Sequence, residues 1–479
     1  MCSYREHSYQ NGMYPLTVFS IATIPLAWLA GILSLQIFGL FMFDSLSFFS
    51  SCAGALLGTF LLWAFFINKM DRMISLQAIF IIFALKAAFV YVIWSNYVYA
   101  PGDSADLVVT KMHYFEEPCH YWVQIKKIYT WWVTNGFTLS LPEYYLNINH
   151  PEAMLLLSLP FTALPPHSEV LIPWNMFYTT AAAAAIYAVG RLEGYKQYIC
   201  RYAFYVILLQ PFGWYVFEPL KRDAQCQMFF GVFLLAVLYF RERIIPLIIT
   251  ALIGAAMLYL YRSPYAPAII LTAVYAYARS DGVISMKIQI RIIVACALVF
   301  ALFFVTPQRY VDNIFASTDE TIEKYGIGDA GKMAKRGYQK RITGHGSFAA
   351  SLPERIMLGL MSPFPWTNIF DSRNPFGVTF RLTDYLHTAL LFVCFTAIVV
   401  FGFMDFRHRI IPPASVVFAL IIAISGMVGI AVQNVYVQVG MLSTFPYVMH
   451  KLGAQGMVRW CVYCLLFFLT TSILWYFVR

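Results

Sequence analysis

Long apolar runs alternate with short polar segments over most of this chain. A helix that crosses the hydrocarbon core of a bilayer needs about 20 mostly apolar residues, with a range of about 17–25. The runs lie at 14–43, 46–68, 74–99, 168–190, 202–219, 224–240, 245–261, 264–279, 290–306, 384–404, 410–431 and 459–478. This pattern predicts an all-α polytopic membrane protein with about twelve transmembrane helices (roughly 10–13), forming one integral membrane domain over 1–479.

Two further apolar segments do not fit a full span. PEAMLLLSLPFTALPP (151–166) is short and bounded by prolines, and VYVQVGMLSTFPYVM (435–449) has the same character. Irregular backbone at membrane depth is tolerated only where protein or a water-filled cavity covers it. We therefore expect one or two short re-entrant or interfacial helices beside a cavity.

The short loops suggest an orientation, because cytoplasmic loops carry an excess of Lys and Arg. With the amino terminus in the cytoplasm, the short cytoplasmic loops are all basic: 68–72, 191–201, 241–243, 279–291 and 405–409. Two long loops, at 100–150 and 307–383, then lie on the extracytoplasmic side. Their aromatic residues favour ordered caps over disordered linkers.

Composition agrees with a membrane protein. Hydrophobic residues make up 60% of the chain and charged residues only 12%, whereas soluble domains carry about 25% charged residues. No stretch resembles a nucleic-acid-binding module, so a nucleic-acid partner is not expected. Cys461 and Cys464 form a CxxC inside an apolar run, where we interpret them as packing residues.

The charged fragment FEPLKRDAQ (217–225) interrupts two apolar runs and falls at the predicted extracytoplasmic face. Positive charge is disfavoured in short loops on that face, so Lys221 and Arg222 suggest an anionic ligand such as a lipid phosphate. Arg suits this role because its planar guanidinium matches phosphate oxygens. Asp223 would orient Arg222, or would itself contact a sugar or a metal. The alternative is a solvated hairpin with a local ion pair.

Arg262, in LYRSPY, lies at the outer end of another predicted hairpin and would converge with Arg222 on one pocket. The alternative is a lone interfacial arginine. Lys86 lies near the middle of a predicted span, where a lysine costs about 2.5–3.5 kcal/mol on insertion scales. It should therefore meet a cavity or a partner, such as Glu218.

Three acid–base candidates lie in the first long loop or at the start of the short helix that follows it. Asp103 follows a Pro-Gly turn directly after the third span, which holds its carboxylate on a defined bend. His150 and Glu152 begin the short helix at 151–166. A general base or a sugar-hydroxyl ligand is the functional interpretation, and ordinary turn and capping residues are the alternative.

In the second long loop, Trp366 closes SPFPW, an aromatic segment suited to stacking on a sugar, and 328–347 is a basic strip. His113 and His120 lack partners for a transition-metal site, so no metal ligand is predicted. A divalent cation is the one cofactor left open.

The features GDS (102–104), NHP (149–151), PWN (173–175), LKRDA (220–224), YRSPY (261–265) and SPFPW (362–366) together resemble bacterial multispanning proteins of surface-polysaccharide clusters. These are similar to the class C glycosyltransferase fold and to O-antigen-polymerase-like membrane enzymes. The likeness runs over about 95–380.

The resemblance implies a polyprenyl-(di)phosphate-linked sugar or oligosaccharide as substrate, with Asp103 at the position of the catalytic aspartate. It implies a location in the bacterial inner membrane, with the bilayer and other polysaccharide-assembly proteins as partners. A repeat-unit polymerase and a flippase of lipid-linked oligosaccharide are the alternatives. The sequence shows no internal repeat of the kind that transporters commonly carry.

Overall fold

The computed structural model describes residues 16–39, 47–97, 116–138, 151–209, 223–261, 265–279, 377–408, 410, 412–428 and 440–478. Within these ranges the secondary structure is helical and contains no strand. The predicted all-α class is therefore confirmed for the described part of the chain.

Thirteen helices are numbered here in chain order, and two short 3₁₀ turns accompany them. The helices are α1 (Val18–Gly39), α2 (Ser47–Leu62), α3 (Leu76–Tyr97), α4 (Glu116–Asn135), α5 (Pro151–Ser158), α6 (Leu171–Leu192), α7 (Gln197–Leu209), α8 (Asp223–Phe240), α9 (Ile244–Tyr261), α10 (Ala266–Arg279), α11 (Gly377–Arg407), α12 (Ala414–Val428) and α13 (Phe445–Val478). The 3₁₀ turns are Leu159–Thr162 and Ser168–Val170.

Among the residues that the structure describes, three helical segments are long and apolar enough to cross a membrane: Val18–Ile37, Ser47–Met70 and Ile244–Tyr261. The second continues α2 through a π-helical turn, Trp63–Ile67. Shorter apolar helical segments are Leu76–Tyr91, Ala153–Thr162, Gln197–Leu209, Ala224–Phe240 and Phe392–Asp405. All of the thirteen helices overlap predicted spans except α4, which lies within the predicted first long loop, and α5, which lies in the predicted short helix. The predicted span 290–306 lies outside the described residues. That twelve helices cross a bilayer stays a prediction.

Helix α6 forms the centre of the bundle. Its residues from Leu171 to Gly190 are buried on every side, which is typical of a helix surrounded by other helices. It packs against α2, α3, α7 and α8. Small side chains allow these close approaches, because a Cβ at Gly231 of α8 would come within 2.9 Å of the Ala185 Cβ of α6.

The segment 151–170 packs as a folded insert against the bundle. Helix α5 is followed directly by the turn Leu159–Thr162, and both contact α4, where Trp122 meets Phe161 edge-on at 5.9 Å between ring centroids. Gln36 of α1 donates to the Thr162 hydroxyl at 2.9 Å. The short, proline-bounded helix predicted here is present, whereas its depth in a bilayer remains a prediction.

Several predicted cytoplasmic loops meet at one end of the bundle. Asp71, which is fully buried, accepts two hydrogen bonds from the Arg201 guanidinium at 2.8 and 3.0 Å. Asp405 accepts from Lys451 Nζ at 2.6 Å and from the Tyr447 hydroxyl at 2.8 Å. We call this end, formed by 68–72, 191–201, 241–243, 279, 405–408 and 450–451, the basic end.

Glu193 at the basic end caps a distant helix. Its carboxylate accepts from the Ser415 backbone N–H at 2.8 Å and from the Ser415 hydroxyl at 2.7 Å, in the first turn of α12. Carboxylates stabilise helix amino termini because backbone N–H groups there lack partners. Burial raises the pKa of Glu193. The two hydrogen bonds from Ser415 and the nearby Arg279 and Arg241 act in the opposite direction and lower this pKa, because they favour the charged carboxylate.

Candidate functional site

A buried set of hydrogen-bonded side chains joins α6, α8 and α9. The Gln225 side chain, which is completely buried, donates from Nε2 to the Tyr178 hydroxyl oxygen at 3.1 Å. The Tyr261 hydroxyl in turn donates to Gln225 Oε1 at 2.6 Å. We call Tyr178, Gln225 and Tyr261 the glutamine cluster. Its members bond to one another across three helices, as buried polar groups in an apolar interior must.

Aromatic rings surround the glutamine cluster. Trp28 of α1 lies edge-on to Tyr178, with 6.4 Å between ring centroids, and edge-on to Phe229 at 6.0 Å. Phe229 also contacts Tyr261 at 5.5 Å. This packing excludes water from the hydrogen bonds, which strengthens them relative to bonds at a wet surface.

The helices that carry the cluster contain further buried polar side chains. Asn175 lies one turn before Tyr178 on α6, and Gln227 lies two residues after Gln225 on α8. Both are at most 2% exposed. Amide and hydroxyl groups of this kind can donate to and accept from sugar hydroxyls.

The glutamine cluster lies next to the segments that carry the predicted phosphate ligands. Asp223 is the first residue of α8, two positions before Gln225, and Arg262 directly follows Tyr261, the last residue of α9. The bond between Gln225 and Tyr261 therefore brings the beginning of α8 to the end of α9. Lys221, Arg222 and Arg262 themselves lie outside the described residues, as does the side chain of Asp223.

The remaining predicted residues of the site are only partly described. Asp103, His150 and Trp366 lie outside the described residues, and so does Glu218, the acid considered as a partner for Lys86. Glu152 belongs to α5, which packs against α4 and α9, but its side chain is not described. Contact between α5 and α9 places this helix against the one that ends beside Arg262.

Lys86 is described in full, and it lies inside the bundle with 1% of its surface exposed. Its Nζ donates to the Leu208 carbonyl oxygen at 2.8 Å, at the last turn of α7. Carbonyls at a helix carboxyl terminus lack intrahelical partners and carry partial negative charge, so a buried ammonium group is well placed there. Lys86 thus meets a partner inside the protein, and that partner is a backbone carbonyl at the end of α7.

Lys86→Met should leave the free energy of unfolding within about 1 kcal/mol of wild type. Methionine has a shape similar to that of lysine, and loss of the hydrogen bond is offset because a charged group no longer has to be buried. Lys86→Ala should lower it by about 2–4 kcal/mol, because it also leaves a cavity. Chemical unfolding of the purified protein in mixed micelles measures both. A methionine variant as unstable as the alanine variant would show that the ammonium group itself holds the fold.

Sequence reasoning missed the glutamine cluster. The apolar pattern identifies 224–240 only as a span, although Gln225 and Gln227 stand among apolar residues in its first turn. Polar amides inside a predicted span are the signal that was available, because such groups need partners within the protein. Tyr178 and Tyr261 gave no such signal, since tyrosine is common in both packed and interfacial positions.

Within the ranges that the structure describes, no group of three or more His, Cys, Asp or Glu side chains could hold a metal ion. The sequence leaves a divalent cation open as a cofactor. The segments predicted to bind phosphate lie outside the described ranges. Comparison of the chain with protein-family models, with curated proteins and with solved structures finds no match.

Proposed function

We propose that this chain is a multi-pass α-helical membrane glycosyltransferase that acts on a polyprenyl-(di)phosphate-linked sugar during synthesis of a cell-surface polysaccharide. The observation that carries the proposal is the 2.6 Å bond from Tyr261 to Gln225. It supports a shared position for Arg222 and Arg262, because each stands only a few residues from one end of that bond. Convergent guanidinium groups beside buried amides suit a phosphate joined to a sugar.

In the proposed reaction, Asp103 accepts the proton of an acceptor hydroxyl. The hydroxyl oxygen forms a bond to the anomeric carbon of the donor sugar, and the bond from that carbon to the phosphate oxygen breaks. The departing lipid (di)phosphate keeps the electron pair, and Lys221, Arg222 and Arg262 stabilise its negative charge. Asp223 orients Arg222, and Trp366, His150 and Glu152 contact the sugar.

The three apolar segments long enough for spanning, together with the shorter apolar helices, support a membrane location for this chemistry. We place the protein in the bacterial inner membrane with its amino terminus in the cytoplasm. The donor is then presented from the extracytoplasmic leaflet, with its polyprenyl chain in the hydrocarbon region. Other proteins of polysaccharide assembly are expected partners.

The test compares lipid-linked glycans extracted from a deletion strain that expresses wild type or single variants. Asp103→Asn should lower product formation by about 10²–10⁴-fold, the usual contribution of a general base. Arg222→Gln and Arg262→Gln should each lower it by about 10²–10³-fold, as loss of a charge-stabilising donor does. In all three strains the donor lipid should accumulate.

Arg407→Gln, an exposed arginine at the basic end, is the matched control and should retain product formation. Full activity in the Asp103 and Arg222 variants would contradict the proposal. A ladder of repeat units that disappears in the variants would instead identify a polymerase. Complete lipid-linked units that accumulate in the cytoplasmic leaflet would identify a flippase.

A further inference from the structure

The carboxylates of the basic end are largely committed to internal partners. Asp71 binds Arg201 and also accepts from the Tyr187 hydroxyl at 3.2 Å, Glu193 binds Ser415, and Asp405 binds Lys451 and Tyr447. Of the four acids in the described segments of this end, Glu242 alone is exposed. The three internally bonded carboxylates therefore do little to offset positive charge at the surface.

Basic residues at the same end are more numerous than the acids, and more of them are exposed. The described segments contain ten: Lys69, Arg72, Arg191, Lys196, Arg201, Arg241, Arg243, Arg279, Arg407 and Lys451. Five of them are exposed: Lys69, Arg72, Lys196, Arg243 and Arg407. Lys69, Lys196 and Arg243 come from three loops far apart in the sequence. Packing of the helices thus assembles a positive surface that no single loop possesses.

Exposed apolar side chains border this positive surface. Phe65 is 48% exposed and lies beneath Lys69, whose Nζ is 5.6 Å from the ring centroid. Ile245, two residues after Arg243, is 69% exposed, and Tyr198, two residues after Lys196, is 52% exposed. Lys69, Lys196 and Arg243 thus each lie within a few positions of an exposed apolar or aromatic side chain.

We propose that the basic end binds the headgroups of anionic glycerophospholipids, with the phosphates on Lys69, Lys196 and Arg243 and the acyl chains on the adjoining apolar side chains. The positive charge of this surface favours an anionic headgroup, and the exposed apolar side chains beside it favour a ligand that carries acyl chains. Aromatic side chains such as Tyr198 are typical of the headgroup level of a bilayer. This inference rests on the membrane location in the proposed function, and it does not depend on glycosyl transfer.

The strength of such binding follows from the number of basic groups. A Lys or Arg near an anionic lipid surface raises affinity roughly fivefold, so three of them together give a preference that is easily measured. The electrostatic attraction between the basic side chains and the lipid decays over about 8 Å at physiological ionic strength, and added salt weakens it further. Because the bound lipid would bridge separate loops, it should also raise thermal stability by mass action.

The experiment measures lipid retained by the purified full chain, using native mass spectrometry after exposure to equal amounts of phosphatidylglycerol and phosphatidylcholine. Wild type should retain phosphatidylglycerol over phosphatidylcholine by about tenfold or more, as expected for several basic contacts. The triple variant Lys69→Gln/Lys196→Gln/Arg243→Gln should reduce that ratio to about twofold or less. Its conservative counterpart Lys69→Arg/Lys196→Arg/Arg243→Lys should keep the wild-type ratio.

Lys127→Gln on α4, an exposed lysine outside the basic end, is the matched control and should keep the wild-type ratio. An equal preference for both lipids in wild type would overturn the proposal. So would a gain in thermal stability from inorganic phosphate that matches the gain from phosphatidylglycerol, because a phosphate-ion site would then account for the binding. Neither readout requires activity, so failure here and failure of the transferase proposal are distinguishable.

Discussion

Asp71→Ala is expected to lower the free energy of unfolding by about 3 kcal/mol, the lower end of the usual cost of breaking a buried ion pair. Asp71 is completely buried and holds the Arg201 guanidinium through two oxygens, at 2.8 and 3.0 Å. It also accepts from the Met73 backbone N–H at 3.0 Å, which fixes the turn after α2. The lower value applies because Arg201 keeps 27% of its side chain exposed and can recover some hydration.

The measurement is chemical unfolding of purified protein in mixed micelles, followed by tryptophan fluorescence. Asp71→Ala combined with Arg201→Leu should recover part of the loss, because the unpaired guanidinium is then absent. Glu242→Gln removes an exposed acid at the same end and should change stability by no more than about 0.5 kcal/mol. If Asp71→Ala behaves like Glu242→Gln, the bidentate pair does not support the fold.

The contrast between Asp71 and Glu242 shows what the sequence pattern could and could not provide. Both are acids in short basic segments, NKMDR and RER. RER lies between α8 and α9 as predicted, whereas helix continues through Met70, so that only Asp71 and Arg72 of NKMDR lie outside it. The pattern carries no information on which acid turns inward. That choice depends on Arg201, 130 residues away, and on how α2 and α7 pack around α6.

Helices were more predictable than contacts. Apolar runs of sufficient length identify spans because every backbone group in a bilayer must bond internally, so α1, α2 and α9 lie close to their predicted positions. By contrast, Lys86 was recognised as needing a partner, but its backbone partner at Leu208 depends on the way α3 meets the end of α7. The glutamine cluster depends on three helices at once.

A second large effect is expected where α1 and α2 approach each other through glycines. A Cβ at Gly31 would lie 2.8 Å from the Gly54 carbonyl oxygen and 3.1 Å from Trp174 Cη2. The first neighbour is backbone and cannot move without separating the helices. Small residues at such contacts matter greatly in membranes, where packing and not the hydrophobic effect holds helices together.

Gly31→Val should therefore lower the free energy of unfolding by about 3 kcal/mol, the upper part of the range for overpacked interiors. Gly402→Ala is a control with the opposite expected sign. Gly402 lies within α11 with nothing within 4 Å of its added Cβ, so alanine should raise stability by about 0.5–1 kcal/mol through helix propensity alone. Equal effects of the two variants in the same unfolding assay would contradict close packing at Gly31. A loss confined to Gly31→Val would show that α1 and α2 associate backbone to backbone, with Trp174 of the central helix α6 packed against their contact.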